Sequence, residues 1–368
     1  MSRVSMYILI LLLGLVCVPN LNDGIVKGES NTIIVPDDYP TIQEAIDYAS
    51  EDSIIFVKQG TYYETIDVEK SLSIVGENRL TTIIDGNRVG PIILIKHDSV
   101  NISNLTIQNG GTMTNDSFYF DTQTGIHLLH VKHCNISNNV LMNNGYAIWL
   151  YGASENLIVG NYVTTGNVGI RLDVFSQQNR VIGNYIENIT LMGQYGRMAF
   201  GLHFSKDSSE NIVESNNITL NMFGIFCHGS FNNSFVENNI INNTYGIEFY
   251  GSSRNNIVNN NNFINTTQMG WGSQYDYSNT WDNGSKGNYW SDYEGTDNNG
   301  DGIGDAPYVI DENNKDNYPL MNPMIPTTDV SESFPTTWIL AIIGIIAIVG
   351  VAILLYFIKF KKITSEVQ

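Results

Sequence analysis

Short apolar runs recur along this chain at a fixed interval, each opening on a small residue. The run first reads Gly125-Ile126-His127-Leu128, then Ala147-Ile148-Trp149-Leu150 and Gly169-Ile170-Arg171-Leu172. It returns as Gly201-Leu202-His203-Phe204, Gly224-Ile225-Phe226-Cys227 and Gly246-Ile247-Glu248-Phe249. The intervals are 22, 22, 32, 23 and 22 residues. A second series, Asn139, Asn161, Asn184, Asn216, Asn238 and Asn260, runs in step at 22, 23, 32, 22 and 22. Both series lengthen at the same place, so the extra residues around Met192–Met198 read as a loop bulging from one coil.

Apolar and polar residues alternate over four to six positions in each unit, which is the period of a strand. Gly and Asn at this density would destroy helices. The period is also short for two-helix repeats, and the leucines of a leucine-rich repeat are missing. The expected fold class is all-β: a right-handed parallel β-helix, a solenoid of ~22-residue coils with three short strands each. Asn at a fixed turn position tolerates the left-handed conformation, and stacked Asn side chains hydrogen-bond along a rod.

Upstream, Thr41–Tyr48 carries helical apolar spacing at Ile42, Ala45 and Ile46. Thr41 with Glu44 three residues on makes a capping pair, and a helix here would cover the open end of the first coil. Strands are expected at Ile54–Val57, Leu72–Val75, Ile83–Ile84, Ile92–Ile95 and Leu105–Ile107. The β-helix is placed at 33–265, a C-terminal cap at 266–324 and a linker at 325–336.

The two ends read differently. The apolar run Tyr7–Val18 follows Arg3 and is too short to span a bilayer, so residues 1–28 are expected to be a secretory signal peptide. Trp338–Ile358 holds no charge, and Lys359, Lys361 and Lys362 follow at once. This predicts a transmembrane helix at 337–358 and a cytoplasmic tail at 359–368, by the excess of positive charge inside. The expected location is the cell membrane, single-pass, with the bulk of the chain extracellular or periplasmic.

Charge narrows the partners. Acidic residues outnumber basic ones 37 to 18, for a formal net charge of −19. That excludes a nucleic-acid partner, which needs a basic stripe. Cys134 and Cys227 lie four coils apart, ~19 Å at the strand spacing, so no disulfide is expected. Ten Asn-x-Ser/Thr triplets, at Asn101, Asn104, Asn115, Asn135, Asn188, Asn217, Asn232, Asn242, Asn265 and Asn283, are candidate glycosylation sites in an exported chain.

Alternation sends His127, Trp149, Arg171, His203, Phe226 and Glu248 outward as one row. Leu129, Tyr151, Asp173, Ser205, His228 and Tyr250 form a second. Rings stack on pyranose faces and charged groups bond hydroxyls, so Trp149, Tyr151, Arg171, Asp173, His203 and His228 are the candidate glycan-binding face. No paired carboxylates stand on adjacent coils of it, which argues against a hydrolase. In the cap, Asp297, Asn299, Asp301, Ile303 and Asp305 match the early positions of a calcium loop with Gly302 at its turn, but Tyr308 stands where a bidentate Glu is needed. Copper would need clustered His, Met or Cys. His127, His130 and His133 alternate across a strand instead.

The opening Thr41-Ile42-Gln43-Glu44-Ala45-Ile46 resembles the start of pectin-lyase-like β-helix proteins. Gly287-Asn288-Tyr289-Trp290-Ser291-Asp292-Tyr293, the run Asp297–Asp305 and Asp316-Asn317-Tyr318-Pro319-Leu320 resemble the closing module of NosD-like β-helix proteins. That resemblance implies the β-helix fold over roughly 33–321 and, as an alternative role, copper binding in maturation of nitrous oxide reductase. The C-terminal membrane helix departs from a soluble periplasmic factor. The expected function is a non-catalytic surface protein, adhesive or glycan-binding, whose partners are the membrane, a polysaccharide or other surface proteins. A carbohydrate-active enzyme (lyase or hydrolase) on the outward face is the other alternative.

Overall fold

Each glycine-led run becomes a strand because alternate side chains enter an apolar column while the others point away from it. The computed structural model describes residues 32–110, 123–190, 199–267 and 278–324. The expected signal peptide (1–28), linker, membrane helix and tail, the triplet at Asn115 and the loop at Met192–Met198 lie outside the described residues. Among the described residues, no helix is long and apolar enough to cross a membrane.

Apart from an antiparallel pair in the cap, Tyr308–Val309 with Lys315–Asp316, the described strands stack in two parallel sheets, one of ten strands and one of sixteen. The glycine-led runs lie in register: Ile126 pairs with Ile148, then Ile170, Leu202, Ile225 and Ile247 in turn. Ile136, Ile158, Val181, Val213, Phe235 and Val258 make the matching column of the ten-stranded sheet. These side chains are buried, each stabilising the rod by roughly 1.5–3 kcal/mol. A coil contributes only a few of them, so neighbours supply the core. The leading glycines answer to backbone approach. A Cβ on Gly201 would meet the Gly224 carbonyl oxygen at 2.6 Å, and one on Gly224 would meet that of Gly246 at 2.6 Å.

Asparagine takes a different place from the one expected. The left-handed residue of each corner is the one before the ladder asparagine: Asn138, Gly160, Gly183, Ser215, Glu237 and Asn260. The sixth ladder member is therefore Asn261, not Asn260, and Asn288 follows it. The ladder side chains turn inward instead. Asn184 Oδ1 accepts from Asn161 N and Nδ2 at 3.0 Å each, and Asn184 donates likewise to Asn216 Oδ1 at 2.8 and 3.0 Å. A parallel ladder joins Asn156, Asn179, Asn211, Asn233, Asn256 and Asn279.

Both ends of the rod are closed. Helix α1 (Ile42–Tyr48) buries Ile42, Ala45 and Ile46, with Thr41 accepting from Glu44 N at 3.2 Å, as the pattern predicted. Two contacts were not foreseen. Glu64 accepts from Ile42 N and Gln43 N at 3.0 Å each, and Lys70 Nζ donates to three carbonyls at the helix's far end. Both complement the helix dipole.

At the other end, parallel pairing continues past residue 265: Asn262 pairs with Tyr289 and Phe263 with Trp290. Trp290 stacks between Phe263 (4.4 Å) and Tyr308 (4.2 Å). The first ladder ends on Asp316, whose Oδ2 accepts from Asn288 N at 2.6 Å and Trp290 Nε1 at 2.9 Å. The second ends on Asn314, itself held by Asp311 at 2.9 Å. Finally, Met324 lies along the side of the rod, its N donating to Asn262 Oδ1 at 2.7 Å and its carbonyl accepting from Asn262 Nδ2 at 2.8 Å. Cys134 and Cys227 are free and buried.

Candidate functional site

The sixteen-stranded sheet turns its outward face away from the core over the coils of His127 to Glu248. Register places His127 beside Trp149, then Arg171, His203, Phe226 and Glu248, one coil each. In the second row Tyr151 pairs with Asp173, and Ser205 with His228 and then Tyr250. All six candidate glycan-face residues therefore share one surface.

That surface is more enclosed than outward pointing suggests. Trp149 is only 4% exposed, His127 3% and Asp173 1%. A third row, unrecognised in the sequence, accounts for much of this: Thr124, Tyr146, Val168, Phe200, Phe223 and Tyr245 stand in register beside the first. Its signal was the bulky residue immediately before each leading small residue. Tyr146 and Val168 pack with Trp149, and Tyr151 and Phe200 lie against them. Trp149 stacks on His127 at 4.5 Å, and His203 lies 4.6 Å from Phe200.

Polar groups gather between these rings. Arg171 pairs with Asp173 at 2.8 Å, donates to Tyr146 Oη at 3.3 Å and sits 5.8 Å from the Trp149 ring centre. Asp173 also accepts from Ser205 Oγ at 2.8 Å and Val174 N at 3.0 Å, with Lys206 Nζ at 3.8 Å. Burial holds the His203 imidazole well below its usual pKa, with Arg171 and then His228 adding to the effect. The ring is neutral at pH 7. Among the described residues, three enclosed atoms on successive coils have no hydrogen-bond partner: Trp149 Nε1, Arg171 Nε and His203 Nδ1.

The cap loop is arranged around its own backbone. Asp297 accepts from Gly300 N, Asp301 N and Gly302 N, at 2.7, 3.2 and 2.8 Å. Asp301 accepts from Ile303 N at 2.9 Å and from Asn299 Nδ2 at 3.0 Å, and Asp305 accepts from Asn298 N at 3.0 Å. The donor set of carboxylates, an amide oxygen and the Ile303 carbonyl suits a hard cation. Among the described residues no three His, Cys, Asp or Glu converge as a metal group. The three spaced histidines separate: His127 on Trp149, His130 against the Tyr151 ring, and His133 3.9 Å from Glu155. Of the glycosylation candidates, Asn188, Asn232, Asn242, Asn265 and Asn283 are exposed, while Asn101, Asn104, Asn135 and Asn217 are half-buried.

Comparison defines the class. Residues 91–263 match the family described as the right handed beta helix region, and the fold is a right-handed parallel β-helix. The lidless DFA-IIIase from Arthrobacter chlorophenolicus A6, solved with GF2, superposes with a TM-score of 0.52 at 15% identity, over 71% of this chain and 81% of that one. A mannuronic acid specific polysaccharide family 6 lyase from human gut microbiota gives 0.46 at 16% identity, over 64% of this chain. This chain spans 59% of that lyase, less than two thirds of its length. A pectin methylesterase in complex with hexasaccharide VII gives 0.41 at 12% identity, over 68% and 93%. No curated protein matches the chain.

Proposed function

We propose that this chain is a surface-displayed rod that binds a glycan across Trp149, Arg171, Asp173 and His203, with Tyr151 and His228 at the border. One observation carries the reading. Three enclosed polar atoms on three successive coils, set among aromatic rings, lack partners among the described residues. An unpaired buried donor costs about 1–3 kcal/mol; the three atoms are covered in the free chain, so a ligand rich in hydroxyls would satisfy them by displacing the rings that cover them. Coils are ~4.8 Å apart, close to the length of one sugar unit, so a linear glycan lying along the rod would meet one such atom per unit.

Binding is favoured over catalysis because Asp173 is committed to Arg171, Ser205 and Val174 N. Screening the full chain against a broad glycan array tests this. Trp149→Ala and Asp173→Ala should each weaken the best binder at least tenfold; unchanged binding by both variants sinks the reading. A second reading rests on His203, whose Nδ1 is unpaired among the described residues beside Arg171, as a proton acceptor that is unprotonated but weak, since burial lowers its pKa. New reducing or unsaturated ends in polysaccharide incubated with the chain would select it.

Two further assignments belong to this proposal. Residues 337–358 anchor the rod in the membrane, and the loop at Asp297, Asn299, Asp301, Ile303 and Asp305 takes calcium. For the loop, millimolar calcium should raise Tm by several degrees and a chelator should reverse it. No shift on either treatment discards calcium. The donor set of the three spaced histidines supports no matching proposal for copper.

A further inference from the structure

The turn that leaves the Asp173 strand is unlike most of its neighbours. The Tyr151, His228 and Tyr250 strands leave through a left-handed glycine: Gly152 (φ 57°), Gly229 (φ 61°) and Gly251 (φ 65°). After Asp173 that position is Val174, at φ 52°, and Phe175 follows at φ 58°. A β-branched residue is among the least suited to this conformation. At this corner the Leu129 strand leaves through a single left-handed residue, His130 (φ 55°), and the next coil repeats the pair with Lys206 (φ 50°) and Asp207 (φ 62°).

The turn is held in this shape from several sides. Asp173 Oδ1 accepts from Val174 N at 3.0 Å, Ser176 Oγ donates to the Asp173 carbonyl at 2.8 Å, and Phe175 N donates to the Lys206 carbonyl at 3.0 Å. The outcome is a phenyl ring 59% exposed, two residues from the carboxylate at the centre of the candidate face. A lone exposed apolar side chain needs no explanation. One that gives up burial on a strained, well-bonded turn two residues past Asp173 does, since strain of this kind collects where it serves a ligand.

We infer that Phe175 is the outer stacking platform of the glycan face. It takes the apolar side of a pyranose ring from a chain that turns off the rod axis across the coil of Arg171 and Asp173, beyond the unit held there. This rests on the glycan-binding reading and adds an extended site with a dependence on ligand length. Lys206, 3.8 Å from Asp173, borders the platform as a donor to ring hydroxyls.

The test is calorimetric titration of the full chain with a length series of oligosaccharides. The series is cut from whichever of soluble β-glucan, mannan, chitin oligosaccharides or polygalacturonate binds. Phe175→Ala should weaken the longer oligosaccharides at least fivefold and leave the shortest binder and Tm unchanged. Phe175→Trp should restore affinity. If Phe175→Ala binds long oligosaccharides like the parent while Trp149→Ala does not, the platform is wrong and the glycan face stands. If no member of the panel binds the parent chain, both fall.

Discussion

His203 shows how placement alters an ordinary side chain. Burial first, then Arg171 and His228, lower its pKa, whereas in the unfolded chain it titrates near ~6.5. The unfolded state therefore takes up a proton that the folded state refuses. Stability is intact above ~6.5 and is lost as pH falls below it towards the folded value. Tm should drop between pH 7 and pH 5, and His203→Gln should flatten that slope; equal slopes for both proteins would remove this account. The row containing His203 was readable from period-two alternation alone. Its enclosure was not, because Tyr146, Val168 and Phe200 stand three residues earlier on the same strands, where strict alternation would turn them to the opposite face.

At the scale of the element, the ladders explain why asparagine saturates the corners. Each member completes bonds that a coil cannot satisfy alone, and both ladders end on side chains of the cap, Asp316 and Asn314. Asn184→Leu would strip the acceptor from Asn161 N and Nδ2 and should cost at least about 2 kcal/mol in denaturant unfolding. Asn188→Gly, exposed on the next corner at φ 55°, should cost under about 0.5 kcal/mol because glycine accepts that conformation freely. Equal losses would mean that the ladder contributes no specific stability. The ladder's existence was legible in the spacing, but its sixth member was misplaced by one, and its continuation through Asn288 carried no periodic cue. Asn259 to Asn262 are four identical letters, and only the left-handed φ of Asn260 separates them. Glu64 on α1 and Asp316 under Trp290 were invisible, since each acts across more than twenty residues with no periodic cue.

For the whole molecule, the repeat made the solenoid and its core columns readable from the sequence, because every coil restates the same inward pattern. The closing segment was recognisable by resemblance, yet its role as a continuation of the stack emerges only from the pairing of Phe263 with Trp290. The proposed anchor makes a prediction at this scale. The chain should sediment with membranes, resist alkaline extraction and be cleaved by protease added outside intact cells. Recovery in the soluble fraction would remove the tether.

The seating of Met324 bears on how such a rod would carry load. Tension arriving from the downstream chain meets Asn262 through a two-pronged amide clasp on the flank, with Leu320 N bonded to the Asn288 carbonyl just before it. The pull is thus spread across bonds loaded together, in shear, and the terminal coil is spared being peeled away one rung at a time.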